Sequence, residues 1–194
     1  MISEKGITGT TMDDVAERTE MSKGALYLHF RNKQELILLI AVNGLIELEQ
    51  KFSKVLVQVV TGKEMLYSFS EILKNYVQDH PYQIESFLYY DWLGLQSDYI
   101  PCIAEEKIIS RFEGLAQSLF NYLHRALQVG KQDGSIHSKI ESKMLAMIIW
   151  AELQGLMRMH NQKYSKHRTS IFDTLNLEHE KILEAFLDLV TTDT

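Results

Sequence analysis

The sequence predicts an all-α protein, with a small helix-turn-helix head ahead of a larger helical domain, on three observations. Apolar residues recur at i, i+3 and i+4 along most of the chain, with no strand-like alternation of any length. The two prolines, Pro81 and Pro101, fall at breaks between these periodic segments. Residues 10–33 read as two short helices joined by a tight turn, the second followed by an aromatic and a basic group.

The elements follow in order. Thr11 and Asp14 form a capping box ahead of Val15 and Ala16, which predicts a helix near 11–19. Ser22 can accept the amide of Ala25 and start a helix near 22–29. Val15, Met21, Leu26 and Phe30 are spaced to close a small core, and Ala16 is small enough for the two helices to cross. Asn32 caps a third helix, 33–60, stopped by Thr61 and Gly62. A helix over 63–80 carries Leu66, Phe69, Leu73, Tyr76 and Val77 on one side, and Pro81 opens another to about residue 96. After Pro101 comes a long helix, 103–129, ended by the turn-rich connector 130–138. Helices near 139–159 and 177–190, separated by the polar stretch 161–170, complete the series.

Thr11, Val15-Ala16, then Met21-Ser22-Lys23-Gly24-Ala25-Leu26-Tyr27-Leu28-His29-Phe30, then Asn32-Lys33-Gln34-Glu35-Leu36, resemble the DNA-binding head of the tetracycline-repressor (TetR) family. The resemblance is dense over the first 40 residues and thin beyond them, where length, helicity and the segment 133–136 agree. It implies a head over 1–40 and a helical ligand-binding and dimerisation domain over 41–194. Two features depart from the family pattern. Of the first helix only residues 1–5 remain, stopped by Gly6, and Glu20 occupies a turn position where the family often has glycine. If that turn needs a positive φ, a side chain there costs roughly 1 kcal/mol.

A helix-turn-helix places its second helix in the DNA major groove. Lys23 and Ala25, at its start, can meet guanine acceptors and a thymine methyl. Gly24 lets the helix end approach a phosphate, and Ser22 caps that end. The resemblance assigns phosphate contacts to Thr11, Tyr27, His29 and Lys33, whereas Leu26 and Phe30 read as packing. The net charge of −6 lies outside this region: residues 1–33 hold five basic and five acidic groups. Lys23, Arg31 and Lys33 gather at the end that would face DNA, a modest footprint with salt-sensitive affinity.

Enzyme, cofactor and metal readings find no support. The seven histidines are scattered without an i, i+4 pair, no glycine-rich phosphate loop occurs, and Cys102 has no histidine beside it. The lone cysteine fits a reducing cytoplasm, and no apolar run is long enough to span a bilayer.

The segment 144–151 is apolar on every face and predicts burial on all sides. With the stripe Leu177, Ile182, Leu183, Phe186, Leu187 and Val190 it suggests a homodimer through the last two helices; a monomer core explains the pattern almost as well. The middle helices are rich in aromatics. Phe69, Phe87, Tyr90, Trp92, Phe112 and Trp150, with the acids Asp91 and Glu152 interrupting apolar faces, are candidates to line a site for a small apolar or amphipathic ligand. The bland alternative is an ordinary aromatic core. Together these features predict a dimeric repressor on a palindromic double-stranded operator, released by such a ligand. The competing reading is a helical dimeric ligand-binding or protein-interaction module whose shortened head no longer binds DNA.

Overall fold

Helices follow one another wherever the sequence supplies a cap and an apolar face. The computed structural model describes residues 6, 7, 9–58, 61–94, 104–162 and 179–192. Residues 6, 7 and 9 are helical, so Gly6 does not stop the first helix as expected; the helices that follow are α1 Met12–Arg18, α2 Lys23–His29, α3 Lys33–Gln58, α4 Gly62–Asp79, α5 Pro81–Gly94, α6 Glu106–Asp133, α7 Ser142–Gln162 and α8 His179–Thr191. There is no strand among the described residues. Residues 1–5, Pro101, Cys102, the stretch 163–170, Leu177 and the side chain of Trp92 lie outside the description.

The caps explain most boundaries and correct three expectations. Thr61 does not stop a helix; it starts one. Its hydroxyl accepts the Glu64 amide at 3.3 Å while the Glu64 carboxylate accepts the Thr61 amide at 3.1 Å. The next two amides are satisfied from far along the chain, Gly62 by Asp133 Oδ2 at 2.8 Å and Lys63 by Ser135 Oγ at 3.0 Å. Gly130 is not a helix stop either. α6 runs through it to Asp133, and Gly134, at φ +76°, makes the turn. Glycine is needed at 130 for close approach: a Cβ there would meet Ile136 at 2.4 Å, and one on Gly62 would meet the Gly130 amide at 2.0 Å. Finally, α7 begins at Ser142 because the Glu141 carboxylate accepts the amides of Lys143 and Met144, both at 3.0 Å.

Packing divides the chain into two units, residues 1–46 with 80–115, and 47–79 with 116–194. In the first, Met12, Ala16 and Leu26 form the buried centre of the head, with Val15, Met21, Phe30 and Leu36 packed against it. Ile7 is buried and its amide donates to Glu85 Oε1 at 3.1 Å. In the second, α8 packs on α4 and α7. Phe52 and Phe69 stack with centroids 4.5 Å apart, Tyr122 meets Phe52 edge-on, and Trp150 meets Phe120 the same way. Carboxylates of α3 hold two tyrosines of this unit, Glu47 accepting from Tyr76 at 3.1 Å and Glu49 from Tyr122 at 2.8 Å.

One face of α7 contradicts the expectation of burial all round. Leu145, Ala146 and Ile149 are buried, but Met144, Met147 and Ile148 are 62%, 55% and 40% exposed. The helix has one face for its own unit and leaves the other bare. In α8, Leu183 and Leu187 are buried in the unit's core, while Leu189 is 61% exposed.

Candidate nucleic-acid interface

α1 presents its polar face through a closed capping box: the Thr11 hydroxyl accepts the Asp14 amide at 3.1 Å and donates to Asp14 Oδ2 at 2.7 Å. Thr11 is exposed, but its hydroxyl is already engaged. The helix ends in a Schellman turn. The Met21 amide reaches Ala16 O at 3.0 Å, the Glu20 amide reaches Glu17 O at 3.3 Å, and Glu20 takes φ 56°. The positive φ expected at this position is therefore present, on a non-glycine residue. This turn sets the entry to α2, whose first amides are capped by Ser22 Oγ accepting from Ala25 at 3.1 Å.

On α2, burial of Leu26 fixes which face points outward. Ser22, Lys23, Gly24, Tyr27, Leu28 and His29 are exposed and Ala25 is half-buried. A Cβ on Gly24 would meet nothing within 4 Å, so the helix start is open to close approach. Leu28, 86% exposed on this face, escaped sequence reasoning because an apolar residue beside Leu26 reads as core.

The cations are less free than sequence implied. Lys23 Nζ pairs with Asp13 at 2.7 Å to Oδ1 and 3.0 Å to Oδ2, and that hydrogen bond and the carboxylate's charge raise the ammonium above the usual lysine range. Arg31 Nη2 pairs with Glu105 Oε1 at 3.0 Å. Lys33 is half-buried, and burial pushes its pKa down. The buried Glu35, also not foreseen, accepts the Arg31 amide on Oε2 at 2.7 Å and the Glu105 amide on Oε1 at 3.3 Å. Its own amide donates to Asn32 Oδ1 at 2.8 Å, the cap expected for this helix.

The candidate ligand residues fall in both units. Phe87, Tyr90 and Phe112 come together in the first: Tyr90 meets Phe112 edge-on at 4.5 Å and Phe87 stacks on Phe112 at 5.7 Å. The Tyr90 hydroxyl is buried and has no hydrogen-bond partner among the described residues. Burial, then the charge of Glu113, pushes it up to about 12, so it is a neutral donor at physiological pH. Asp91, one residue on, is half-buried. Phe69, Trp150 and Glu152 belong to the second unit, where Phe69 is fully buried. A void of about 10 Å³, room for one water, lies beside Phe69, bounded by Phe52, Leu66, Phe69, Ile149 and Leu187. Among the described residues no group of three histidine, cysteine, aspartate or glutamate side chains is placed to hold a metal. Among the described residues no helix is long and apolar enough to cross a membrane.

Residues 1–40 match the model of bacterial regulatory proteins of the tetR family. Over 36 residues the chain is 44% identical to the biofilm operon icaADBC negative transcriptional regulator IcaR of Staphylococcus epidermidis, a stretch covering 19% of this chain and 20% of that regulator. The fold extends the likeness. The crystal structure of the TetR family regulator PfmR from Thermus thermophilus superposes with a TM-score of 0.70 at 22% identity, covering 98% of this chain and 92% of that one. The regulator AibR, solved with isovaleryl coenzyme A and operator DNA, superposes with a TM-score of 0.65 at 18% identity, covering 98% and 91%.

Proposed function

We propose, from the match of residues 1–40 to the tetR family of bacterial regulatory proteins, that this chain is a regulator of that type: a dimeric, cytoplasmic DNA-binding repressor released from a palindromic operator by a small, largely apolar ligand. One observation carries the DNA reading. The Schellman turn at Glu20 and the Ser22 cap present α2 with its outward face bearing Lys23, Gly24 and Tyr27, at the end where a major groove admits a helix. The name of the IcaR relative, a negative regulator, supports repression, and the AibR complex with isovaleryl coenzyme A and operator DNA supports operator binding and a small-molecule site.

Two further features support the dimer and the ligand. The bare stripe Met144, Met147, Ile148 and Ala151 of α7 follows i, i+3, i+4, i+7 spacing, and Ala185 and Leu189 are exposed on α8. A second copy covering these residues makes a four-helix interface, and a dimer supplies the two heads that a palindromic site requires. The aromatic group Phe87, Tyr90 and Phe112 offers an apolar wall with one unsatisfied donor, the composition of a small-molecule site.

The test is selection of binding sites from a random duplex library, followed by titration of Lys23→Ala and Tyr27→Ala. A palindromic selected site is expected. Lys23→Ala weakens binding by at least about five-fold, the low end of a base contact, and Tyr27→Ala weakens it on all sequences alike, as loss of a phosphate contact does, with helicity unchanged because both side chains are exposed. No enrichment and no DNA affinity at low salt refutes the reading.

A further inference from the structure

We propose that Glu105 is an intramolecular competitor of DNA for Arg31, placed by the buried Glu35, and so sets the phosphate affinity of the head. The inference rests on the DNA-binding reading above. Glu35 is 3% exposed, and each of its carboxylate oxygens takes a backbone amide from a different segment: Arg31 at 2.7 Å, Glu105 at 3.3 Å. A buried carboxylate with both oxygens satisfied in this way holds the two segments side by side, since losing either bond leaves a buried charge undersatisfied. The side chains of the same two residues then meet outside it, Arg31 Nη2 donating to Glu105 Oε1 at 3.0 Å.

Arg31 follows Phe30, the C-cap of α2, and stands two residues before Lys33. An exposed guanidinium at that place matches a phosphate oxygen pair. In the free protein Glu105 supplies those oxygens instead. Both side chains are more than half exposed, at 63% and 53%, so water screens the pair and DNA can displace it at modest cost. Glu105 also precedes α6 directly: its carbonyl accepts the amides of Ile108 at 2.9 Å and Ile109 at 3.2 Å, so it caps that helix and moves with it. Two turns further along α6, Phe112 packs with Phe87 and Tyr90. A shift of α6 at the aromatic group therefore alters how firmly Glu105 holds Arg31.

The experiment compares wild type, Glu105→Gln, Arg31→Gln and the double variant on a random-sequence duplex, titrated from 20 to about 200 mM salt. Glu106→Gln, which removes the same charge from the exposed neighbouring residue, controls for net charge. Glu105→Gln keeps the backbone bond to Glu35, so its melting temperature stays at the wild-type value. Its affinity rises about two- to five-fold, the range of an exposed ion pair. The slope of log affinity against log salt stays at the wild-type value, because Arg31 makes its phosphate contact in both complexes. Arg31→Gln weakens binding, and in its background Glu105→Gln changes nothing. An equal gain from Glu106→Gln, or a Glu105→Gln gain that persists without Arg31, overturns the competition while leaving DNA binding intact. Absence of DNA affinity in every variant at 20 mM salt overturns both readings.

Discussion

Replacing Glu20 with glycine isolates the strain of the helix-turn-helix turn. Glu20 occupies the position after the α1 cap at φ 56°, and its amide and that of Met21 close the turn on Glu17 and Ala16. An L-residue in this region costs roughly 1–2 kcal/mol. Glycine removes that cost but loses more backbone freedom on folding, about 0.5–1 kcal/mol. The difference stabilises the head by about 0.5–1 kcal/mol, the larger strain being partly offset by the unfolded chain. No side-chain contact complicates the sum, because Glu20 is exposed. Hydrogen exchange of peptides covering residues 12–30 is the suitable assay, since the gain is local. Glu20→Gly should raise protection about two- to five-fold where exchange proceeds by opening of the head. Glu20→Asn, which tolerates the left-handed region, should recover part of that, and Glu20→Gln, which removes only the charge, none. Protection unchanged or lowered in Glu20→Gly, or an equal gain in Glu20→Gln, refutes the strain argument.

Gly62→Ala places a Cβ 2.0 Å from the Gly130 amide and 2.2 Å from Ala126 O, both backbone, so α4 must move from α6. Calorimetry should show a loss of about 3 kcal/mol, the upper end for overpacking, and a wild-type melting temperature would show that the helices yield freely. Tyr90→Phe removes a buried hydroxyl without a partner among the described residues. It should raise stability by about 1 kcal/mol while weakening binding of decanoic acid relative to decane, and a lowered melting temperature would reveal a partner within the protein. Ile148→Glu and Leu189→Glu place a charge on the bare stripe, where each is 40% and 61% exposed. Sedimentation should show folded monomers, whereas a dimer persisting in the double variant moves the interface elsewhere.

What was legible in the sequence is local. Thr11 with Asp14, Ser22 and Asn32 announce their helices because a cap and its amide lie three residues apart, and each is seen capping. The Thr61–Glu64 box has the same spacing but was hidden behind Gly62, read as a breaker although it is a contact residue. The pairing of Arg31 with Glu105 spans 74 residues and leaves no periodic mark. Likewise, Lys23 and Asp13 are separated by the very turn that brings them together. The apolar run of α7 concealed which face was outward, because composition is the same on both sides of such a helix.

The cap of α4 has a consequence for the order in which the chain can fold. Its first amides are bonded by Asp133 and Ser135, 71 and 72 residues downstream, and its first residue lies against the backbone of Gly130. While residues beyond about 130 are still on the ribosome, α4 has only the Thr61–Glu64 box at its start, and the surface its glycine is shaped to fit does not yet exist. A loop of that length must close before those bonds reward it. The second unit therefore completes itself late, when the end of α6 and its turn arrive together, whereas the buried centre of the head, Met12, Ala16 and Leu26, is built from partners close in sequence.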